Sequence, residues 1–287
     1  MPAEQEKIVF NARTVFLFMM LPLIAGILLS LAVPRPVIGL IEIKTPLDNK
    51  SGKEAVQQIQ YAYNQPEIRA VVLVLDSPGG TINDTELIYL ELNHLRKKKP
   101  VVTMVQGLSA SGAFYISLAT DYVFSNPSAM VGNVGVIAHL PPNPVVFEEV
   151  YSTGPYKLWG TARDTYVRQI DLMKRSFLAA VESGRGDRLN VSIERVSRGE
   201  IYPASEALQL GLIDGIGAQS EAIEKAARLA RVSNYRTIDL ISVIETEEDA
   251  GNEEIFYGLD NNGESTGLPK EPGFYYLFVP EIKGELK

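Results

Sequence analysis

A serine stands where strand-forming residues give way to an apolar helical pattern. The run 101–105 is mostly β-branched, and the segment 107–113 (GLSASGA) follows it and leads into further apolar residues. A serine hydroxyl at a helix N-terminus can attack a substrate carbonyl, because the helix end stabilises the negative charge that develops. Ser111, between an alanine and a glycine, is therefore a candidate nucleophile. Serine is also a preferred N-cap residue, so a purely structural cap is the alternative.

A second candidate motif, Asp76-Ser77-Pro78-Gly79-Gly80, directly follows the apolar run 70–75. Proline fixes its own φ, and the two glycines permit conformations that other residues avoid, so that backbone N–H groups can turn toward a ligand. Such groups suit an oxyanion hole, which stabilises the charge formed during acyl transfer. We predict that the N–H groups of Gly112 and of Gly79 or Gly80 form it. An ordinary Pro-Gly turn is the alternative interpretation.

Composition restricts the possible chemistry. The chain has 287 residues, a net charge of -8, two histidines and no cysteine. The acidic balance without a long basic cluster argues against a nucleic-acid partner. The lack of cysteine excludes disulfides and thiolate catalysis, and two histidines leave little for a metal site. We therefore expect neither a metal nor another cofactor.

The N-terminal region predicts a connection to a membrane. Residues 1–14 form a charged flank, and residues 15–33 form an uncharged run close to the ~20 residues that a helix needs to cross a bilayer. Two interpretations are open: a retained transmembrane anchor, or a signal peptide cleaved after Ser30-Leu31-Ala32. The length of the run favours the anchor. Either way, we expect the remainder of the chain on the extracytoplasmic side of the cell membrane.

From residue 37 onward, strand-like and helix-like patterns alternate. This alternation predicts one α/β domain over residues 37–245, with helices packed on a largely parallel sheet. The predicted strands are 37–43, 70–75, 101–105, 122–124 and 156–159, and the predicted helices are 52–63, 82–95, 112–119, 165–183, 192–198 and 219–231.

The last segment, residues 246–287, combines an acidic loop with an aromatic tail. Residues 273–280 (GFYYLFVP) are aromatic and extended in character and too short to span a membrane. We expect them to pack as a strand on the domain or on a neighbouring subunit. A second hypothesis is that they lie along the substrate groove and limit access to it.

Three motifs in the same order closely resemble the signal peptide peptidase A family of serine peptidases, peptidase family S49. They are the segments 76–80 (DSPGG), 109–115 (SASGAFY) and 132–137 (GNVGVI), within a similarity that spans residues 37–231. Asp76 stands where many members carry asparagine, and Asn133 where many carry serine. The resemblance implies the ClpP/crotonase-like fold, a spiral of ββα units, with Ser111 as the nucleophile. It also implies a homo-oligomer.

The resemblance implies a lysine base as well. The family uses a lysine in a G-x-x-K segment, which Gly154-Pro155-Tyr156-Lys157 matches. A lysine with the usual pKa near ~10.4 is mostly charged at neutral pH, so Lys157 would need apolar surroundings to act as a base. His139 is the competing base, in a segment similar to the histidine strand of ClpP-type peptidases.

The expected function is that of a membrane-anchored serine endopeptidase with a Ser111–Lys157 dyad. Its expected substrates are hydrophobic peptides, either remnant signal peptides or membrane-associated polypeptides. Two alternatives stay open: a Ser-His peptidase that uses His139, and a non-catalytic membrane scaffold with the peptidase fold.

Overall fold

A computed structural model of the chain describes residues 12–32, 35–139, 153–154, 156–157, 160–244, 257–259, 265–269 and 273–277. Within the described residues from 37 to 244, strands and helices alternate as the sequence predicts, except at two places where short strands follow one another directly. The helices are α1 (Ala12–Ala32), α2 (Asn49–Asn64), α3 (Ile82–Arg96), α4 (Gly112–Ser117), α5 (Arg163–Arg185), α6 (Ile193–Val196), α7 (Ala204–Gln209), α8 (Gln219–Leu229) and α9 (Leu240–Ile244). The strands are β1 (Val37–Ile43), β2 (Ile68–Ser77), β3 (Gly79–Thr81), β4 (Val101–Ala110), β5 (Tyr122–Ser125), β6 (Met130–Gly132), β7 (Ile137–His139), β8 (Ile201–Pro203), β9 (Gly215–Ile216), β10 (Arg236–Asp239), β11 (Tyr257–Leu259), β12 (Ser265–Pro269) and β13 (Gly273–Leu277).

The central sheet has the order β10-β1-β2-β4-β5-β9, and all neighbours on this path are parallel. The far end of β4 pairs with β6 instead of β5, and β6 in turn pairs antiparallel with β8. Parallel strands place their carboxyl ends at one edge of a sheet. The ends of β2 and β4, which carry the two candidate motifs, are therefore neighbours.

Both faces of the sheet are covered, because alternate residues of each strand point to opposite sides. On one face, Leu73 and Leu75 pack with residues of α2 and α3. On the other face, Val72 and Val74 pack with the alanines of α8. Residues 70–75 are fully buried. The uninterrupted apolar run in the sequence is explained by this two-sided burial.

A third apolar cluster holds α4 in place. Phe114 and Tyr115 of α4 pack with Phe177 and Val181 of α5 and with residues around β8 and α7. A helix of six residues is too short to be stable by itself, so its position depends on this packing.

One predicted strand is wrong. Of the segment 156–159, the structure describes residues 156 and 157, and these lie in a turn in which the Gly160 N–H donates to the Tyr156 carbonyl over 2.7 Å. Gly160 has a φ of 77°, a left-handed conformation that glycine adopts at little cost. Residues 158 and 159 lie outside the described residues.

Helix α1 covers most of the predicted membrane segment 15–33. Its described side chains, residues 16–28, include many large apolar groups that are more than half exposed, such as Phe16, Phe18 and Leu28. Among the residues that the structure describes, no helix combines the length and the apolar character needed to cross a membrane. The anchor over 15–33 therefore stays a prediction.

A buried ion pair ties the end of α5 to the sheet. Asp214 accepts two hydrogen bonds from Arg185, at 2.8 and 2.9 Å, and another from the Val123 N–H of β5. The side chains of Arg185 and Asp214 are only 2% and 8% exposed. Burial alone would raise the pKa of Asp214, but the hydrogen bonds and charge of Arg185 outweigh it and hold that pKa below its usual value.

Replacing Asp214 by Asn should lower the free energy of unfolding by about 3 kcal/mol at pH 7, because it leaves the Arg185 guanidinium buried without a counter-charge. The control Asp171→Asn breaks an exposed pair with Arg175 and should cost about 0.5 kcal/mol or less. Urea denaturation measures both effects.

The loss of stability caused by Asp214→Asn should depend on pH, because the pKa of Asp214 is lowered in the folded state. The ionised carboxylate stabilises the fold above the usual aspartate pKa of about 4, and this contribution is lost as the pH falls through the lower folded pKa. The difference between the wild type and Asp214→Asn should therefore narrow below about pH 4. A difference that stays constant down to acid unfolding would contradict this assignment.

Candidate active site

The two candidate motifs meet through the Asp76 carboxylate. Leu75 pairs with Val105, but Ser77 pairs with Ser109, so β4 bulges beside Asp76. Within this bulge the Leu108 N–H donates to Asp76 Oδ1 over 2.9 Å. The carboxylate thus satisfies a backbone donor that the bulge removes from the ladder, just before the chain reaches the candidate nucleophile.

Gly107 is required for this contact. A Cβ at Gly107 would lie 2.6 Å from Asp76 Oδ1, closer than real Cβ atoms come to other heavy atoms. The glycine therefore lets the β4 backbone approach the carboxylate. The serine motif (residues 107–113) and the glycine motif (residues 76–80) are therefore joined by the contact of the β4 backbone with Asp76.

Ser111 connects the last residue of β4 to the first residue of α4 in a left-handed conformation, with φ 53° and ψ -118°. A non-glycine residue at positive φ is strained, and such strain persists where the surrounding structure imposes it, commonly at functional sites. The Ser111 side chain makes no capping hydrogen bond to α4. The structural alternative, in which this serine serves as a helix cap through its hydroxyl, is therefore wrong.

The third motif holds the Ser111 backbone. The Ser111 N–H donates to the Gly132 carbonyl over 2.9 Å, and the Ser111 carbonyl accepts from the Tyr115 N–H over 2.9 Å. Gly132 has a φ of 121°, and a Cβ there would lie 2.9 Å from the Glu200 carbonyl oxygen. In the sequence, Gly132 stands out only as the first residue of the third family motif, and nothing there indicates this role for its carbonyl.

Asn133 supports the same connection from the other side. It also has a positive φ, 56°, and its backbone and side-chain N–H groups donate to the carbonyls of Glu200 and Gly199. Asparagine tolerates this conformation better than most residues. The loop before β8 thereby fixes Asn133, the residue that follows Gly132.

Burial keeps the phenol of Tyr115, in α4, uncharged. The Tyr115 ring packs edge-on against Tyr89 and tilted against Phe177. Burial, together with the nearby Glu86 and Tyr89, raises the pKa of Tyr115 well above its ordinary value. Burial also raises the pKa of Glu86. The phenol of Tyr115 is therefore protonated at neutral pH.

The glycine motif needs both of its glycines. Gly79 has a φ of 91°, and a Cβ at Gly80 would lie 1.9 Å from the Leu47 carbonyl oxygen. The Gly79 N–H donates to the buried Ser77 hydroxyl over 3.2 Å, so this predicted oxyanion donor is already engaged within its own motif. β3, which these glycines begin, contacts both α3 and α4.

The Gly112 N–H is the first of α4 and belongs to the helix-terminal groups that have no acceptor within the helix. It follows Ser111 directly and is buried. The structure thus places Ser111, Gly112 and the glycine motif in one region, at the carboxyl ends of β2 and β4.

Neither predicted base is bonded to the nucleophile. Lys157 is exposed in the turn before α5, where its N–H donates to the Gly154 carbonyl over 3.2 Å. His139 is exposed at the end of β7. Within the described parts of the chain, no hydrogen bond joins either side chain to Ser111. Both assignments stay predictions.

Replacing Ser111 by Gly and by Ala tests the left-handed conformation. Both variants lack the hydroxyl, but only glycine adopts positive φ without strain, so Ser111→Gly should be about 1 kcal/mol more stable than Ser111→Ala. Chemical denaturation gives the two free energies of unfolding.

The matched control is Ser125, a buried serine at the end of β5. There the order should reverse, with Ser125→Gly less stable than Ser125→Ala by about 0.5–1 kcal/mol, because glycine loses more conformational freedom in a strand. The same order at both positions would contradict a special conformation at Ser111.

Comparison with known families agrees with this geometry. Residues 93–233 match the model of peptidase family S49, and residues 38–132 match the model of Clp protease. A putative protease of Methanocaldococcus jannaschii is 27% identical over 246 residues, which are 81% of this chain and 72% of the relative. Protease 4 of Salmonella typhi is 29% identical over 201 residues, which are 65% of this chain. The matched part covers only 32% of that relative's length.

Among solved structures, a membrane-bound stomatin-specific protease in complex with a substrate peptide superimposes with a TM-score of 0.52 at 15% sequence identity. The superposition covers 72% of this chain and 93% of the other. It shows a shared fold. Together with the Clp protease match, it confirms the predicted ClpP-like α/β architecture.

Proposed function

Because residues 93–233 match peptidase family S49 and the relatives named above are proteases, we propose that this chain is a serine-type peptidase of that family, with Ser111 as its nucleophile and Lys157 as its general base. The observation that carries this proposal is the strained Ser111, whose hydroxyl does not cap α4 and whose backbone is held by the third family motif. Strain of this kind commonly persists at functional sites. In peptide-bond hydrolysis, the left-handed turn would present the hydroxyl at the start of a helix.

In the proposed reaction, the neutral Lys157 amine accepts the proton of the Ser111 hydroxyl as the oxygen attacks the peptide carbonyl. The negative charge that forms on the carbonyl oxygen is stabilised by the Gly112 N–H at the start of α4 and by the N–H of Gly80 or of Gly79, which must first leave the Ser77 hydroxyl. The protonated lysine then gives its proton to the leaving amine. A water molecule, activated by the same lysine, hydrolyses the acyl-enzyme and releases the second product.

The register of the strands disfavours His139 as the base. β13 pairs with both β7 and β3: His139 lies opposite Gly273, whereas Gly79 lies opposite Leu277. At about 3.3 Å per residue, these two ends of β13 are roughly 13 Å apart. A base at His139 would therefore lie at the far end of the groove from the glycine motif.

An exposed lysine needs additional burial to lose its proton near neutral pH. We propose that the bound peptide, or a second copy of the chain in a homo-oligomer, covers Lys157 and removes it from water. The lysine is exposed in the isolated chain, so either the peptide or the second subunit has to bury it before it can act as a base.

The proposed substrates are hydrophobic peptides at a membrane, including remnant signal peptides. Support comes from the exposed apolar side chains of α1 and from the uncharged run 15–33, which we propose to be a membrane anchor with the peptidase domain outside the cytoplasm. One relative in the fold is named as a membrane-bound protease.

Substitutions of the three candidate side chains test the assignment. Ser111→Ala and Lys157→Ala should each lower kcat for an unstructured hydrophobic peptide by about a hundredfold or more, because each removes a group that acts in the transition state. His139→Ala should retain activity within about twofold. Lys97→Ala, an exposed lysine at the opposite edge of the sheet, is the control for the loss of a charge.

Two results would contradict the assignment. Full activity of Lys157→Ala together with an inactive His139→Ala would establish the Ser-His alternative. If a serine-directed fluorophosphonate fails to label Ser111 in the folded chain, and no peptide is cleaved, the non-catalytic scaffold is favoured instead.

The pH profile provides an independent test. Because the base must be neutral, kcat/KM should fall about tenfold per pH unit below the pKa of the base and level off above it. Steady-state rates from pH 5 to pH 10 measure this. A rate that is independent of pH between 5 and 9 would exclude a lysine base.

A further inference from the structure

The amino-terminal edge of the central sheet is strongly basic. Because β10, β1, β2 and β4 are parallel, their first residues lie together at the edge opposite the serine and glycine motifs. The segments that lead into these strands, 35–37, 65–70, 96–101 and 228–237, contain nine arginines and lysines and one glutamate. The whole chain has a net charge of -8, so positive charge is concentrated at this edge, which we call the basic edge.

Most of these cations have no counter-charge from the protein. Seven of the nine side chains are exposed, and none of the seven forms an ion pair within the parts of the chain that the structure describes. Lys98 donates to the Tyr63 carbonyl. The other six are Arg35, Arg69, Lys97, Arg228, Arg231 and Arg236. Exposed arginines of α5 differ, because Arg168 and Arg175 pair with aspartates one turn away. Unpaired cations gathered in one place create a positive potential that attracts an external anion.

A cavity of about 230 Å³ opens within the basic edge. It is lined by residues 96–100, just before β4, by Asp121 and by Leu229 at the end of α8. Among these described lining residues, Asp121 carries the one carboxylate, and it lies 3.5 Å from Arg96 Nε. The cavity therefore has an excess of positive charge, which suits a phosphate group.

The surroundings of Lys99 also lack negative charge. Lys99 is only 6% exposed and donates to two backbone carbonyls at the end of α2. An ammonium group has three N–H donors, so one donor is left for another acceptor. Burial, together with the charges of Lys98 and Arg69, lowers the pKa of Lys99 to about 8 despite the nearby Glu67. An anion in the cavity would accept the remaining hydrogen bond and stabilise the charged lysine.

The chain connects the basic edge directly to α1. Helix α1 ends at Ala32 and β1 begins at Val37, so four residues separate them. A connection of this length spans at most roughly 18 Å, even when it is fully extended. If α1 is the membrane anchor, the amino end of β1 lies within that distance of the bilayer surface. A bilayer is therefore the polyanion nearest to the basic edge, and acidic phospholipids give it its charge.

We propose that the basic edge docks on a bilayer that contains acidic phospholipids, with a headgroup phosphate in the cavity beside Lys99. The proposal rests on the proposed function, because α1 has to be the anchor that holds this edge close to the membrane. Arginine suits such a surface, since its guanidinium can donate two hydrogen bonds to one phosphate.

Docking of the basic edge has a consequence for substrates. Strand β4 has ten residues and runs from the basic edge to Ser111. At about 3.3 Å per residue, docking would place Ser111 about 30 Å from the headgroups. A substrate that is still attached to the bilayer would have to extend over this distance before it reaches the serine.

The first test measures contact between the basic edge and lipid. The chain has no cysteine, so a dye can be attached at one introduced cysteine. The full chain with Ser233→Cys carries the environment-sensitive dye NBD within the basic edge, and the full chain with Ser128→Cys carries it beyond the carboxyl end of β5. Each chain is reconstituted in vesicles of phosphatidylcholine, alone or mixed with phosphatidylglycerol.

The emission of the dye at residue 233 should shift to shorter wavelength only in vesicles with phosphatidylglycerol. Salt at about 1 M should reverse the shift, because it screens charges beyond about 3 Å. The dye at residue 128 should not respond in either kind of vesicle.

The second test removes charge from the basic edge of the Ser233→Cys chain. Each basic side chain near an acidic membrane contributes about fivefold to binding, so replacing three arginines should lower the docking constant about hundredfold. The shifted fraction of the dye measures this constant. The three substitutions are Arg69→Gln, Arg228→Gln and Arg236→Gln.

A control variant has the same change in net charge at exposed residues outside the basic edge and should dock within about twofold of the parent chain. Its substitutions are Lys50→Gln, Arg175→Gln and Arg198→Gln.

Three results would overturn the proposal. They are an equal dye response in phosphatidylcholine alone, equal docking of the two triple variants, and a dye that responds to a DNA duplex in solution but not to phosphatidylglycerol vesicles. Failure of the proposed anchor is detected separately, because the full chain would then not float with phosphatidylcholine vesicles in high salt. In that case, binding to phosphatidylglycerol vesicles through the three arginines would still support the basic edge as a lipid-binding surface.

Neither test depends on peptide hydrolysis, so an error in the assignment of Ser111 or Lys157 would leave both outcomes unchanged. Hydrolysis of a soluble peptide should not depend on the basic edge, which lies at the opposite end of β4 from Ser111. Lys97→Ala therefore remains a suitable control for that reaction.

Discussion

The hydrogen bond from the Ser111 N–H to the Gly132 carbonyl is the interaction on which the site depends. It holds a non-glycine residue in a left-handed conformation, which costs about 1–3 kcal/mol and requires the surroundings to be rigid. The pairing of β6 with β4 on one side and β8 on the other supplies that rigidity. Gly132 can accept this bond only because it lacks a side chain, which would meet the Glu200 carbonyl. The strained residue is itself buried, with 2% of its surface exposed, and it lies at the junction of β4 and α4.

The rest of the architecture brings backbone groups to that serine. The bulge in β4, filled by the Asp76 carboxylate, aligns the serine motif with the glycine motif at the carboxyl ends of adjacent strands. The aromatic cluster around Tyr115 fixes a helix that is too short to be stable alone. Both devices act on the backbone. This suits acyl transfer, in which preorganised hydrogen-bond donors stabilise the charge that develops in the transition state.

The edges of β3 and β7 that face each other are both paired with β13 of the same chain. The exposed Lys157 would prevent cleavage by the isolated chain if it becomes buried, and so neutral, only when a peptide or a second subunit is bound.

The sequence alone was sufficient for the alternating α/β pattern, for the buried strands and for the positions of the serine and glycine motifs. These features are local: apolar runs, glycines and capping residues act within a few residues of each other. It was insufficient for the turn at 156–160, where apolar and aromatic residues suggested a strand, and for the role of Gly132, which depends on Glu200 more than sixty residues away. Tertiary structure also decided that Ser111 is strained instead of acting as a cap, because its φ is imposed by β6 and not by its own neighbours. Tertiary structure also decided that residues 273–277 pair with β3 and β7. An extended aromatic segment can pair with any free strand edge, and only the folded chain determines which edge is free.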